Sequence, residues 1–182
     1  LFAELAAYRA VRVALSLTTL DQSLARVMEP RTSAPAARLK AVARLKQAGV
    51  PVEVIVGPVV PGLNDSELPA ILHAASEAGA EAAHYLVLRL PTTVRHVFLE
   101  WLERHRPNHA QKVTAFIRDM RAGQLNSGKF GERHRGQGVW ADQIEQTFRV
   151  FAARYGLAQK TEPLNADAFL PPRSTSGQQW LF

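Results

Sequence analysis

The sequence predicts an α/β fold built on parallel strands. Three observations carry that expectation: three short apolar runs, an amphipathic helical stretch between each successive pair, and a glycine closing each of those helices. Apolar strands linked through a helix form βαβ units, whose crossovers are right-handed in almost every case. The repeated β-α-β-α-β order argues for a parallel sheet.

The chain opens on a helical turn with Leu1, Leu5 and Tyr8 on one face. Val11–Leu17 is apolar and rich in β-branched residues, which suits a buried strand. A polar loop leads to a helix with Leu39, Val42, Ala43 and Leu45 on one side and Lys40, Arg44 and Gln47 opposite. Gly49 stops it, because glycine takes the left-handed conformation without penalty. Pro51–Gly57 is the second strand. Leu68, Ile71, Leu72 and Ala75 have helical spacing, with Pro69 in the first turn and Asp65 or Ser66 as the expected cap. Gly79 ends that helix, and Ala83–Arg89 is the third strand.

Beyond the strands the pattern is helical. Val94, Val97, Phe98, Trp101 and Leu102 form one apolar stripe, opened by Thr92 or Thr93, with Glu100 and Arg104 as an outer i, i+4 pair. Val113, Phe116, Ile117 and Met120 form a second, with Pro107 in its first turn and Gly123 past its end. The aromatics on these stripes read as core. A third helix carries Ile144, Phe148, Phe151, Ala152 and Tyr155 and stops at Gly156. From Leu157 periodicity ceases, and the expectation is an extended tail held where Phe169 or Trp180 finds a groove. The expected division is βα units over 1–91, a helical extension over 92–156 and a tail over 157–182.

At 182 residues and 47% hydrophobic content, the chain has the material for about one domain. No apolar run approaches a membrane span, and no charged segment leads into an apolar one, so the expected setting is the cytoplasm. Net charge is +6 and the isoelectric point near 10.2. Half of that excess lies in Arg121–Gly138, where Arg121, Lys129, Arg133 and Arg135 face only Glu132, among five glycines and Phe130. Such a segment suits contact with a phosphate backbone or another anion, and equally a solvated linker. Both readings stay open.

Several chemistries are disfavoured. His105 and His109 have the spacing of a helical metal pair, but Pro107 lies between them. His73 and His96 read as surface residues, and His84 as core or pocket. No metal site is expected. GxSxG and GxxxxGK[ST] are both absent. In α/β folds the loops after the strands carry the chemistry, which selects Ser16–Thr19, Val56–Gly62 and Leu88–Pro91. Arg89, a charge ending an apolar strand, needs a partner or a wet pocket. A ligand anion and a salt bridge to a helix Glu are both open.

The phrases TTLDQSLARVMEPR, VIVGPVVPGLND and YLVLRLP, spread over roughly residues 1–157, resemble the second half of a radical S-adenosylmethionine (radical SAM) enzyme. The branch they are most similar to is that of spore photoproduct lyase and its DNA-repair-photolyase-like relatives. The resemblance implies a partial (βα)6 TIM-like barrel, with these strands as its fourth to sixth. It also implies two cofactors, S-adenosylmethionine and a [4Fe–4S] cluster held by cysteines in a CxxxCxxC-type loop. Reductive cleavage to a 5′-deoxyadenosyl radical would follow, acting on an unidentified substrate such as nucleic acid.

This chain has no cysteine and starts at Leu1 rather than Met. The expectation is a C-terminal part whose partner is the cluster-binding N-terminal half of the same protein, with a degenerate standalone relative as the alternative. By position, Ser16 and Thr18 would meet the ribose or methionyl group. Arg31 would meet the carboxylate, with Arg38 in reserve, since a guanidinium matches it with two parallel hydrogen bonds. Val56 and Pro58 would line the adenine and Arg89 would meet an anion, while Lys129, Arg133 and Arg135 would touch substrate or nucleic acid. The rivals are a non-catalytic nucleic-acid-binding module and an α/β barrel enzyme of other chemistry, binding anions near Gly57–Gly62.

Overall fold

A computed structural model of the chain describes residues 1–126, 134–167 and 169. Its elements are α1 (Phe2–Ala7), β1 (Val13–Ser16), α2 (Gln22–Met28), α3 (Pro35–Gln47), β2 (Val52–Val59), a 3-10 turn (Asp65–Glu67) and α4 (Leu68–Glu77). Then follow β3 (Ala82–Val87), α5 (Thr92–His105), α6 (Pro107–Asp119) and α7 (Gly138–Arg154). The strands form one parallel sheet in the order β1-β2-β3, as expected, with ends shifted by one or two residues. Gly49 and Gly79 close α3 and α4 with φ of +72° and +96°.

The two faces of the sheet differ. Register pairs Leu15 with Val54 and Val54 with Ala83, and such partners share a face. On that face Val52, Val54 and Val56 are buried against Val42 of α3, Ile71 and Leu72 of α4, and Ile144 and Phe148 of α7. The other face carries Ala14 and Ser16, Glu53, Ile55 and Gly57, then His84 and Leu86. No helix covers it among the described residues, and Ala14, Ser16 and Leu86 are exposed. Parallel sheets are ordinarily buried on both faces, and here one face is left open among the described residues.

The edges differ too. Along β3, Ala83 N donates to Ala158 O at 3.0 Å and Val87 N to His134 O at 2.8 Å. No strand pairs with the far edge of β1 among the described residues. The tail crosses the amino ends of the strands on polar anchors. Arg12 donates to Glu162 O at 3.0 Å, and Asn165 donates to Arg9 O and Tyr8 O. The expected Phe169 anchor is therefore corrected, since Phe169 is exposed; Trp180 lies outside the described residues.

Further corrections are local. The loop expected after β1 contains α2, capped by Asp21, whose carboxylate accepts from Ser23 N at 2.7 Å. Neither Asp65 nor Ser66 caps α4: a 3-10 turn precedes it, and Asp65 accepts from Gly62 N instead. Thr92 and Thr93 are inside α5, whose first position follows Pro91 without a side-chain cap. Val94 and Val97 are exposed, at 45% and 56%. Leu102, Phe98 and Trp101 do join a second apolar cluster with Val113 and Ile117, and Glu100 and Arg104 pair on the surface at 2.6 Å.

Candidate functional site

The carboxyl ends of the three strands meet through a buried polar network. Thr18 and Thr19, just past β1, are both buried. Thr18 Oγ1 donates to Gly57 O at 2.8 Å, and Thr19 Oγ1 donates to Glu67 Oε1 at 2.6 Å. Leu20 N donates to the other Glu67 oxygen at 2.8 Å. Asn64 joins the loops after β1 and β2. Its Oδ1 accepts from Val60 N at 2.6 Å, while Nδ2 donates to Thr18 O at 2.8 Å and Pro58 O at 3.1 Å. Gly62 makes this turn possible: its φ is +78°, and an added Cβ would lie 3.0 Å from a Phe116 ring carbon.

At the end of β1, Ser16 sits on the open face. Arg38 reaches it from α3, donating Nη1 to Ser16 O at 3.0 Å and to Ser16 Oγ at 3.3 Å. The same guanidinium donates to Ser33 O and forms an ion pair with Glu29 at 3.0 Å. Each edge of the Arg38 fork is thereby fixed, and Ser16 keeps its own hydroxyl proton to donate. Arg31 is exposed and makes no hydrogen bond among the described residues. The structure thus brings Ser16 together with Arg38 and leaves Arg31 on the surface loop.

At β2, Val56 faces the helices and is 1% exposed, while its neighbours Ile55 and Gly57 face the open side. Pro58 is half-buried. Also on the open face, Glu53 and His84 approach to 3.7 Å, an acid–base pair. His73 and His96 are exposed; His105 ends α5 and Pro107 begins α6.

At the end of β3, Arg89 is half-buried, and its Nε is enclosed without an acceptor. No carboxylate pairs with it among the described residues, so the salt-bridge reading finds no partner there. Arg121 is 3% exposed and donates Nη2 to Leu88 O at 3.0 Å, one residue before Arg89. Burial, helped by the Arg89 charge, lowers the Arg121 pKa. Arg135 is exposed, 3.4 Å from Glu145. Lys129 and Arg133 lie outside the described residues. Tyr85 packs against Phe148 behind the sheet, with the ring centroids 4.8 Å apart and the planes tilted by 43°. Its hydroxyl is enclosed without a partner, and burial, reinforced by the Glu145 charge, pushes its pKa up to about 12.

Sequence reasoning missed Asn64 and Glu67, while Thr19 stood in the selected loop after β1 and Arg121 in the basic segment. Asn64 and Glu67 follow the Pro61-Gly62 turn, and a buried amide beside a turn glycine was the available signal. The strand-end position of Arg121 was not legible, because it arises only when the end of α6 returns to the sheet. Among the described residues, no three His, Cys, Asp or Glu side chains are grouped to hold a metal ion. No helix among them is long and apolar enough to cross a membrane.

Residues 1–75, which carry β1, β2 and most of α4, match the Radical SAM superfamily. Uncharacterised proteins of Mycobacterium tuberculosis and Mycobacterium bovis are 38% identical over 120 residues, which is 65% of this chain and 35% of theirs. The chain spans about a third of the length of the curated relatives it matches. No solved structure matches it. Radical SAM proteins use S-adenosylmethionine and a [4Fe–4S] cluster. A chain with no cysteine supplies no thiolate to such a cluster, so its own residues do not fit that group. Toward the organic cofactor's polar end, Ser16 keeps a hydroxyl proton, whereas Arg38 is already engaged by Ser16, Ser33 and Glu29. Over residues 1–75, then, this chain is similar to the Radical SAM superfamily, and its sheet is compatible with part of a barrel.

Proposed function

We propose that this chain is the latter part of the partial barrel of a radical SAM enzyme in the photoproduct-lyase-like branch. Its partner in that reading is a preceding segment of the same protein, which carries the cluster cysteines. The observation that carries the reading is the uncovered face and unpaired β1 edge of a parallel sheet, within the stretch that matches the superfamily. Preceding βα units would pair with β1 and close over Ser16, Ile55 and His84. The setting in this reading is the cytoplasm.

Ser16 is the donor to the cofactor's polar end. Arg38, paired with Glu29, holds Ser16 in place, and Arg31 is the candidate whose guanidinium meets the carboxylate. Thr18 positions Gly57 through its hydrogen bond, and Pro58 with Ile55 offers an apolar wall on the open side. S-adenosylmethionine, when bound at a cluster, supplies the radical chemistry; the protein's part is orientation and exclusion of water.

The test is S-adenosylmethionine turnover by the full-length protein, reconstituted anaerobically with iron and sulfide. The expected result is 5′-deoxyadenosine formation, with KM raised about tenfold by Ser16→Ala or Arg38→Gln, the loss of about one charge-assisted hydrogen bond. A loaded cluster without turnover contradicts the reading. A non-catalytic nucleic-acid module is the second reading, favoured by the +6 charge. It requires binding that falls steeply with salt and survives Arg89→Ala.

A further inference from the structure

We propose that Trp101 is a positioning residue for the cofactor edge: its indole N–H ties the helical extension to α2 and so fixes the chain Glu29–Arg38–Ser16 at the end of β1. The inference rests on the proposed role of Ser16 for its effect on the cofactor, and on geometry alone for the tie.

An unbroken line of contacts runs from α5 to β1. Trp101 Nε1 donates to Val27 O at 2.9 Å. Val27 is in the last turn of α2, where carbonyls have no partner within their own helix, so the indole takes the place of a cap. Glu29 directly follows α2. Its carbonyl accepts from Thr32 N at 3.0 Å and from Thr32 Oγ1 at 2.9 Å, which closes the turn. Its carboxylate holds Arg38 Nη2 at 3.0 Å, and Arg38 Nη1 in turn donates to Ser16 O and Oγ.

α2 needs this outside support. A helix of 7 residues is too short to be stable by itself. On one side a cavity of about 250 Å³ opens between α2 and the start of α3, lined by Arg26, Glu29, Ser33 and Pro35 among others. On the other, Met28 joins Trp101 in the apolar cluster of α5 and α6. The charge of Arg106, where α5 meets α6, reaches Asp21 at the opposite end of α2. With the Ser23 hydrogen bond as the larger cause, it holds that carboxyl below its usual range. The extension thus acts on both ends of α2. Trp101 itself is steadied by Phe98 and His105, whose ring centroids lie 5.6 and 5.8 Å from its own.

The test is a mutant cycle in full-length protein reconstituted with iron and sulfide, with KM for S-adenosylmethionine read from 5′-deoxyadenosine formation. Trp101→Phe keeps a ring in the cluster and removes the N–H. It is expected to raise KM about three- to tenfold at unchanged kcat, the loss of about one hydrogen bond. Added to Arg38→Gln, it is expected to change nothing further, because both act on Ser16. Trp140→Phe, on α7 against Phe116, is expected to match wild type. The second readout needs no cofactor. In the 182-residue chain, NMR follows solvent exchange of the Arg38 Nε–H, which donates to Ser33 O at 2.9 Å. Trp101→Phe is expected to speed that exchange about threefold or more, and Trp140→Phe to leave it as it is.

The proposal is overturned if Trp101→Phe leaves KM unchanged, or if its effect multiplies with that of Arg38→Gln, which assigns Trp101 to the apolar cluster alone. Unchanged Arg38 exchange overturns it as well. Full-length protein that loads a cluster without turning over S-adenosylmethionine overturns the cofactor reading instead, and faster Arg38 exchange in Trp101→Phe then upholds the tie.

Discussion

Asn64 illustrates how one side chain governs the candidate site. It satisfies the amide of Val60 and two carbonyls from different loops, all in a buried place. Asn64→Ala leaves those groups without partners and is expected to cost about 2–4 kcal/mol, read as a lower urea midpoint at unchanged m. Tyr85 is the reverse case. Its hydroxyl is enclosed and unpartnered, so Tyr85→Phe is expected to be neutral or slightly stabilising. The folded-state pKa of about 12 lies above the usual value of 10.0, so the folded protein keeps a proton the unfolded chain has lost. The stabilisation is whole below pH 10 and is lost as pH rises toward 12. Urea unfolding at pH 9 and pH 11 is expected to show a decline for wild type that shrinks in Tyr85→Phe. An equal decline in both contradicts the assignment.

At the scale of elements, the helix stops were legible because a positive φ selects glycine. Gly49 and Gly62 have similar φ but different surroundings. A Cβ at Gly49 meets nothing within 4 Å, whereas at Gly62 it meets the Phe116 ring at 3.0 Å. Gly49→Ala is expected to cost about 1 kcal/mol, from backbone strain alone. Gly62→Ala adds the ring displacement and is expected to cost about 2–4 kcal/mol, a Tm drop of roughly 4–16 °C by differential scanning calorimetry. Equal drops for the two variants would contradict this contrast. What was not legible was α2, a helix of 7 residues, too short for a helical period to stand out and opened by the Asp21 cap. The caps of α4 and α5 failed for a related reason: a 3-10 turn and Pro91 occupied the places that a capping side chain needs. Val94 and Val97 had the right spacing but lie where α5 meets no neighbour among the described residues.

At the scale of the molecule, periodicity revealed the parallel strands but not the asymmetry of the sheet. Alternation along β2 does distinguish Val52, Val54 and Val56 from Glu53, Ile55 and Gly57. Which set faces helices depends on α7, whose return to the sheet over residues 138–154 no local pattern announces. The chain just before α7 brings His134 to β3 and the end of α6 brings Arg121 to Leu88, joining two leads that the sequence kept apart: the basic segment and Arg89. The edge that carries the buried polar network was legible because strand-end loops carry chemistry in this fold class. Which of Arg31 and Arg38 reaches Ser16 was not, since it depends on how α3 sits against β1.

The central claim is that this sheet is completed by preceding βα units that hold a cluster. Translating the reading frame upstream of Leu1 tests it most directly. The account predicts three cysteines in a CxxxCxxC-type loop after a strand, about three βα units before Val13. A frame that opens close to Leu1, with no such loop, would contradict it.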